Sequence, residues 1–201
     1  MNYSQNQEQE AILNYFGDFI GSFLDIGSND GETFSNTRAL ALKGWSGVCV
    51  EPSPKAFERL EKLYSQKPKK IFCYPFAMGS HNGKATLKES GPLCSAADIG
   101  LVSTFHQHEQ DRFKAVKYEP IEVKVFRWKT FYNRLKIKTF DFVSIDTEGE
   151  DLTILSQMDV KDVRAVCLEW NGKTELKTEF DRYLSGFKVI YTSGENLLYA
   201  R

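Results

Sequence analysis

The stretch "FLDIGSNDGETF", Phe23 to Phe34, decides the fold. An apolar run of strand character carries an acid, Asp25, and gives way to a loop holding Gly27, Asn29, Asp30 and Gly31. Glycine lets the backbone turn sharply and lets a ligand approach where a Cβ would block it. Asparagine is among the few other residues that tolerate a left-handed conformation. The loop therefore fits close against a nucleoside-bearing ligand, and it leads into a segment with apolar residues at helical spacing.

From this stretch onward the chain alternates between strand-like and helix-like segments. "TFSNTRALALKG" predicts a helix from Thr33 to Gly44, with Phe34, Ala39, Leu40 and Leu42 available for a core face. "GVCVE", Gly47 to Glu51, is the second strand, and "SPKAFERLEKLY" begins with Ser53 as N-cap and Pro54 at the first helical position. "KIFCYPFAMG" supplies the third strand. "IEVKVF" alternates as a half-buried strand does, and "WKTFYNRL" predicts a short helix. "FDFVSID", "EDLTILSQM", "RAVCLEW" and "TELKTEFDRYLSG" continue the alternation. "FKVIY", the turn "TSGE" and "NLLYA" then make a terminal hairpin. Strands separated by helices imply right-handed crossovers and a mainly parallel sheet covered on both faces, with the hairpin adding an antiparallel strand.

No internal repeat, long linker or low-complexity tract divides the chain, so residues 1–201 are expected to form a single domain. An N-terminal helix is expected within residues 1–20, with Ile12, Leu13, Tyr15 and Phe16 on one face. Residues 80–127 are less regular: "HNGKATLKES" predicts a turn and a short strand, and a polar stretch follows. This part is expected to be an insertion or lid over the core.

The composition, 41% hydrophobic and 26% charged over 201 residues, is that of an ordinary globular chain able to bury one core. A net charge of −1 makes no electrostatic case for nucleic acid or an anionic membrane, and the only dense basic cluster is "KPKK", Lys67 to Lys70. The polar, acidic N-terminus does not resemble a signal peptide, and no apolar run approaches the roughly 20 residues that span a bilayer. A cytoplasmic protein is expected. Cys49, Cys73, Cys94 and Cys167 form no C-x-x-C pair and read mainly as small core residues in a reducing compartment.

In an open α/β sheet, ligands bind at the carboxyl ends of the strands near the point where strand order reverses. Four predicted strands end in an acid: Asp25, Glu51, Asp146 and Glu169. One such carboxylate is readily a helix cap or a loop hydrogen bond. Four on one rim repel one another, and so point to a ligand rich in hydroxyls, amines or positive charge. Glu51 falls 20 positions after Gly31, where an acid can accept two hydrogen bonds from ribose hydroxyls. The glycines are not spaced as in the dinucleotide fingerprint, and Asp30 is an anion where a pyrophosphate would lie. S-adenosylmethionine has no phosphate and carries a cationic sulfonium and an ammonium, so it suits an acid-bearing loop better.

"FLDIGSNDGETF" resembles the first motif of class I S-adenosylmethionine-dependent methyltransferases. With "GVCVEPSPKAFERL", "FAMGS", "FDFVSIDTEGED" and "CLEWN" the chain is similar to the FkbM family of methyltransferases. The resemblance implies a Rossmann-like class I methyltransferase fold with a mostly parallel seven-stranded sheet, and methylation of hydroxyl groups on a saccharide or secondary metabolite. It puts Asp25, Gly27, Asn29 and Gly31 around the methionine part of the cofactor, Glu51 on the ribose, and Ala77 and Met78 beside the adenine. Ser28, Thr33, Pro52, Ser53 and Asp146 complete the expected cofactor contacts. The chain departs from the family at Ser144, where many members have Lys, and at "RWKTF", which replaces a more usual Leu-Asp step.

Methyl transfer to a hydroxyl is an in-line displacement that needs alignment and removal of a proton. Asp146, Glu148 and Glu169 are the candidate catalytic acids, and a strand-like geometry would put Asp146 and Glu148 on one face. Glu148 and Glu150 could equally favour the first turn of the next helix through its dipole. Asp146, Glu169 and Asn171 offer oxygen ligands for Mg²⁺, which would lower the pKa of a bound hydroxyl. His106 and His108 in the lid have a pKa suited to a general base but belong to a polar loop. Ser103 and Thr104 are further lid candidates, and Trp45, Trp128 and Trp170 could stack on an acceptor, with core packing favoured for Trp45. An NAD-linked oxidoreductase and a non-catalytic domain binding S-adenosylmethionine or a glycan are the alternatives. The partner is expected to be a small-molecule or saccharide acceptor, with no nucleic acid or membrane; composition is silent on oligomeric state.

Overall fold

The computed structural model describes residues 1–65, 70–94 and 100–201. Lys67 to Lys69 of the basic cluster and residues 95–99 at the start of the polar stretch lie outside the described residues.

Among the described residues, ten strands form two sheets. The larger has seven: β1 (Ser22–Ile26), β2 (Ser46–Val50), β3 (Ile71–Tyr74), β7 (Phe142–Ile145), β8 (Ala165–Glu169), β9 (Lys188–Thr192) and β10 (Asn196–Ala200), in the order β3-β2-β1-β7-β8-β10-β9. β3, β2, β1, β7 and β8 run parallel, and β10 is antiparallel to both β8 and β9. The chain works outward from β1 to β3 and then returns beside β1 as β7, so strand order reverses between β1 and β7.

Alternate residues of each strand face opposite layers. Leu24, Ile26, Val143, Ile145, Val166 and Leu168 pack against the helices α5 (Trp128–Tyr132), α6 (Asp151–Leu155) and α7 (Thr174–Tyr183). Phe23, Cys49, Phe142, Ala165 and Cys167 pack against α1 (Glu8–Phe16), α2 (Arg38–Leu42) and α3 (Pro54–Leu63). Trp45 lies in this second layer, 1% exposed, and donates its indole N–H to the Phe19 carbonyl. Trp128 packs in the first layer and is likewise buried.

Several elements differ from the sequence reading. The N-terminal helix spans only Glu8–Phe16; the residues before it run beside Phe34, with Ser4 forming a parallel bridge to it. The expected helix from Thr33 begins only at Arg38, because the Ser35 hydroxyl accepts the Thr37 and Arg38 amides, competing with helical backbone bonding, while the Thr37 hydroxyl is drawn to Asp25 of β1. Phe34 and Leu42, expected in the core, are 38% and 59% exposed. The third strand divides at Pro75, which has no N–H to donate to a ladder: β3 stays on the large sheet, and β4 (Ala77–Met78) joins the small one.

That small sheet, ordered β4-β6-β5, is the framework of residues 80–127. β5 (Gly83–Ser90) is longer than expected and pairs antiparallel along its whole length with β6 (Tyr118–Phe126). On β6, Val123 and Val125 are buried while Glu122 and Lys124 are exposed, as the alternation predicts. Between β5 and β6, residues 100–117 carry α4 (Gln107–Gln110), and Thr104 there bonds the Glu148 carbonyl just beyond β7.

Candidate active site

Asp25, Glu51, Asp146 and Glu169 all line one cavity at the carboxyl ends of the strands, across the β1–β7 reversal. Its walls also include Gly27, Ser28, Asn29, Thr33 and Pro52, with Ala77 and Met78 from β4. The lid contributes Gly100 to Ser103, Phe105, Arg112 and Phe113.

The first loop is held by its own acids. Asp25 is the fourth residue of β1 and lies on the α1–α3 side; its carboxylate accepts a 2.5 Å bond from the Thr37 hydroxyl. Burial pushes its pKa up to about 6, against the lowering effect of the Thr37 and Ser28 hydroxyls. Glu51 accepts the Asn29 and Ser53 amides, one on each oxygen at 2.8 Å, and so ties the two loops together. Its pKa rises to about 7, again chiefly by burial. Each oxygen keeps capacity for a further bond from a ligand hydroxyl.

Gly27 lines the cavity with φ +86°, and a Cβ there would lie 1.7 Å from the Asp146 carbonyl oxygen. Its bareness is therefore needed for β1 and β7 to approach each other, as well as for any ligand. Gly31 and Ser53 do not line the cavity. Gly31 packs against α3, where a Cβ would meet Leu60 at 2.7 Å, and Ser53 caps α3 and donates to Glu89 at 2.6 Å. Asp30 accepts the Glu32 amide, the Thr33 amide and the Thr33 hydroxyl at 2.7–2.9 Å. The donors a pyrophosphate would need are thus already engaged, and no helix begins at the loop to receive it.

At the β7–β8 side, Asp146, Glu148 and Glu169 bring one carboxylate oxygen each to within 4.8 Å of one another. Strand alternation is not the cause. Residues 146–149 are not a strand, and Glu148 reaches the cluster through a left-handed backbone at φ +51°. Burial first, and repulsion from neighbouring acids second, raise all three: Asp146 to about 7, beside Asp151 and Asp25, Glu169 to about 8, beside Asp146, and Glu148 well above the usual carboxylate range, beside Glu169 and Asp146. Behind them Asp151, which accepts the Thr147 hydroxyl at 2.7 Å and the Glu169 amide, also rises to about 7 through burial and the neighbouring Glu169. Glu148 Oε2 is buried without a hydrogen bond, and the Arg112 guanidinium stands 3.5 Å from it. The acid that joins Asp146 and Glu169 is Glu148, and Asn171, the third ligand expected from the sequence, lines the same cavity. Three converging carboxylates fit a hard divalent cation, and the same oxygens fit a shared proton.

The lid is fastened to this cluster. Thr104 donates its hydroxyl to the Glu148 carbonyl at 2.7 Å, and His106 Nε2 meets Glu150 at 2.8 Å. Glu150 caps α6 without a side-chain bond to it. His106 thus pairs with an acid at the cavity edge, and His108 is 65% exposed beside Glu109. Glu109 itself is buried between Arg112 and Lys173, at 2.5 Å from the latter. Sequence reasoning did not single out Arg112, Thr37 or Asp151. Arg112 could have been suspected as the cation nearest the lid histidines, but nothing local marks the other two.

A family model, the methyltransferase FkbM domain, matches residues 25–189. The chain belongs to the FkbM methyltransferase family. A search of curated proteins found no match. Among solved structures, the chain is similar to an FkbM methyltransferase from Methylobacillus flagellatus KT, with TM-score 0.56 and 11% identity, covering 90% of this chain and 44% of that one. It is also similar to a ribosomal protein L11 methylase from Lactobacillus delbrueckii subsp. bulgaricus, with TM-score 0.53 and 11% identity, covering 100% and 80%. The chain therefore has the class I methyltransferase fold, and spans less than half the length of the Methylobacillus FkbM structure. No helix among the described residues is long and apolar enough to cross a membrane.

Proposed function

We propose that this FkbM-family chain transfers a methyl group from S-adenosylmethionine to a hydroxyl of a saccharide or secondary metabolite. The observation that carries the reading is the cavity across the β1–β7 reversal, acid at both ends and holding no free phosphate cradle. The β1–β2 end, with Glu51 for the ribose hydroxyls and Ala77 and Met78 for the adenine, takes the nucleoside. Asp25 and the loop after it face the charged amino-acid end.

The β7–β8 end then takes the acceptor. The sulfonium already activates the methyl carbon, so the protein has to align the acceptor oxygen and receive its proton. Carboxyls whose pKa values lie near 7 and 8 are matched to that task at neutral pH, unlike an ordinary carboxylate. Asp146, Glu148 and Glu169 form the accepting group, and Arg112 offsets part of the negative charge the cluster carries before the proton arrives. The same three residues would hold Mg²⁺ as a second reading, favoured by their spacing; the ion would supply charge that acidifies the acceptor hydroxyl.

Calorimetric titration with S-adenosylmethionine, S-adenosylhomocysteine and NAD tests the cofactor: heat with the two sulfur compounds and none with NAD is expected, and the reverse rejects the reading. A screen of hydroxylated acceptors scored by S-adenosylhomocysteine formation then identifies the substrate. In that assay Asp146→Asn should lower kcat by about 10²–10⁴. EDTA without effect on wild-type turnover excludes the metal reading.

A further inference from the structure

Among the described residues, four non-glycine positions have a left-handed backbone: Asn29 (φ 46°), Phe34 (φ 55°), Glu148 (φ 51°) and Asn171 (φ 51°). All four line the cavity. Asparagine tolerates this region, but for a bulky side chain it is an outlier, held only where the surroundings over-determine it. At Phe34 they do. Ser4 bridges its backbone on one side, and on the other Ser35, Asn36 and Thr37 are all buried in hydrogen bonds. If only the turn mattered, glycine would hold it without strain. Phe34 is nonetheless 38% exposed and lines the cavity.

The chain after Phe34 runs toward the acid-cluster end. Asn36 donates to Ser144 of β7 at 3.3 Å and lies 3.6 Å from the Cys167 sulfur of β8, so the chain after Phe34 crosses the two strands that lead to Asp146 and Glu169. On the same side Asn6, two residues beyond the Ser4 bridge, bonds Glu195, whose carbonyl accepts the Asn171 amide. Three carboxylates can hold hydroxyls there but offer no grip on the flat face of a ring, which an aromatic side chain supplies.

We propose that Phe34 is the platform on which a hydroxyl-bearing ring of the methyl acceptor stacks, its left-handed backbone presenting the phenyl to the cavity. The assignment rests on the methyltransferase reading above and makes Phe34 a specificity-determining residue. The test is saturation-transfer difference NMR on the full chain with saturating S-adenosylhomocysteine, using methyl β-D-glucopyranoside, methyl α-L-rhamnopyranoside and catechol as separate probes. Wild type should transfer saturation to ring protons of at least one probe, Phe34→Trp should retain the effect, and Phe34→Ala should weaken it about tenfold. Transfer to the pyranosides identifies a saccharide acceptor and transfer to catechol a planar aromatic. S-adenosylhomocysteine affinity should stay within about twofold in every variant, the two chemistries being at different ends of the cavity. Phe34→Gly should melt about 2–4 °C above Phe34→Ala, reporting the backbone strain apart from the ring. Equal transfer by Phe34→Ala and wild type overturns the platform, as does a parallel loss of S-adenosylhomocysteine affinity, which would put the ring on the cofactor. Wild type that binds S-adenosylhomocysteine but none of the probes overturns the platform alone. Wild type that does not bind S-adenosylhomocysteine overturns the methyltransferase reading itself.

Discussion

A carboxylate inside β1 is tolerable because a hydroxyl waits for it. Asp25 is 5% exposed, and Thr37, fully buried, donates to it from the turn before α2. Replacing that hydroxyl by a methyl of nearly the same shape leaves a buried acceptor short of a donor, at a cost of about 1–3 kcal/mol. Thr37→Val should therefore lower the urea midpoint at unchanged m, and more so at pH 8 than at pH 5, since the ionised form loses more. A midpoint equal to wild type at both pH values would show that Asp25 does not depend on Thr37. Asp25 stands out in the sequence as an acid in an apolar run. Its partner does not, because "TFSNTRALALKG" has helical spacing throughout, and only the folded loop reveals that Ser35 is spent on the Thr37 and Arg38 amides and Thr37 on Asp25.

At the scale of elements, the lid is attached to the parallel sheet by a few polar contacts more than by packing. Glu109 on α4 joins Arg112 of the lid to Lys173, in the turn before α7, and both cations hold its pKa below the usual carboxylate range despite burial. Glu109→Gln keeps the shape and removes the charge. The expected outcome is local opening: amide exchange in residues 100–117 accelerating at least about tenfold while the strands of the large sheet keep their protection. Uniform acceleration across both sheets would mean that α4 is part of the global cooperative unit instead. The alternation of β6 and the β9–β10 hairpin were readable one element at a time. The division of "KIFCYPFAMG" into two strands of two sheets was less so, since Pro75 marks a break but not where the chain goes next.

The whole molecule concentrates acid in one place. Asp25, Glu51, Asp146, Glu148, Asp151 and Glu169 all have pKa values raised in the folded state, chiefly by burial. Groups of this kind bind protons more tightly when folded, so they favour folding while protonated, and that contribution is lost as pH rises from the unfolded values near 4 through the folded values near 6–8. Glu8 and Glu109 are shifted the other way, held down by their hydrogen-bond partners despite burial. The ligand-free protein should accordingly melt lower at pH 8.5 than at pH 5.5, and S-adenosylmethionine, which brings positive charge, should narrow the gap. A melting temperature independent of pH over this range would rule out the raised pKa values.

The sequence by itself determined the order of elements, the parallel sheet with its antiparallel end, and the acids at the strand ends, because apolar periodicity and glycine placement are local properties of the chain. It also carried enough of the FkbM pattern to indicate the family. The tertiary structure alone decided which groups meet. Glu148 joins Asp146 and Glu169 through a left-handed turn, Arg112 arrives from the lid, and Phe34 leaves the core for the cavity wall. None of these follows from spacing along the chain, since each depends on two distant segments being held together by hydrogen bonds and packing that neither segment specifies alone.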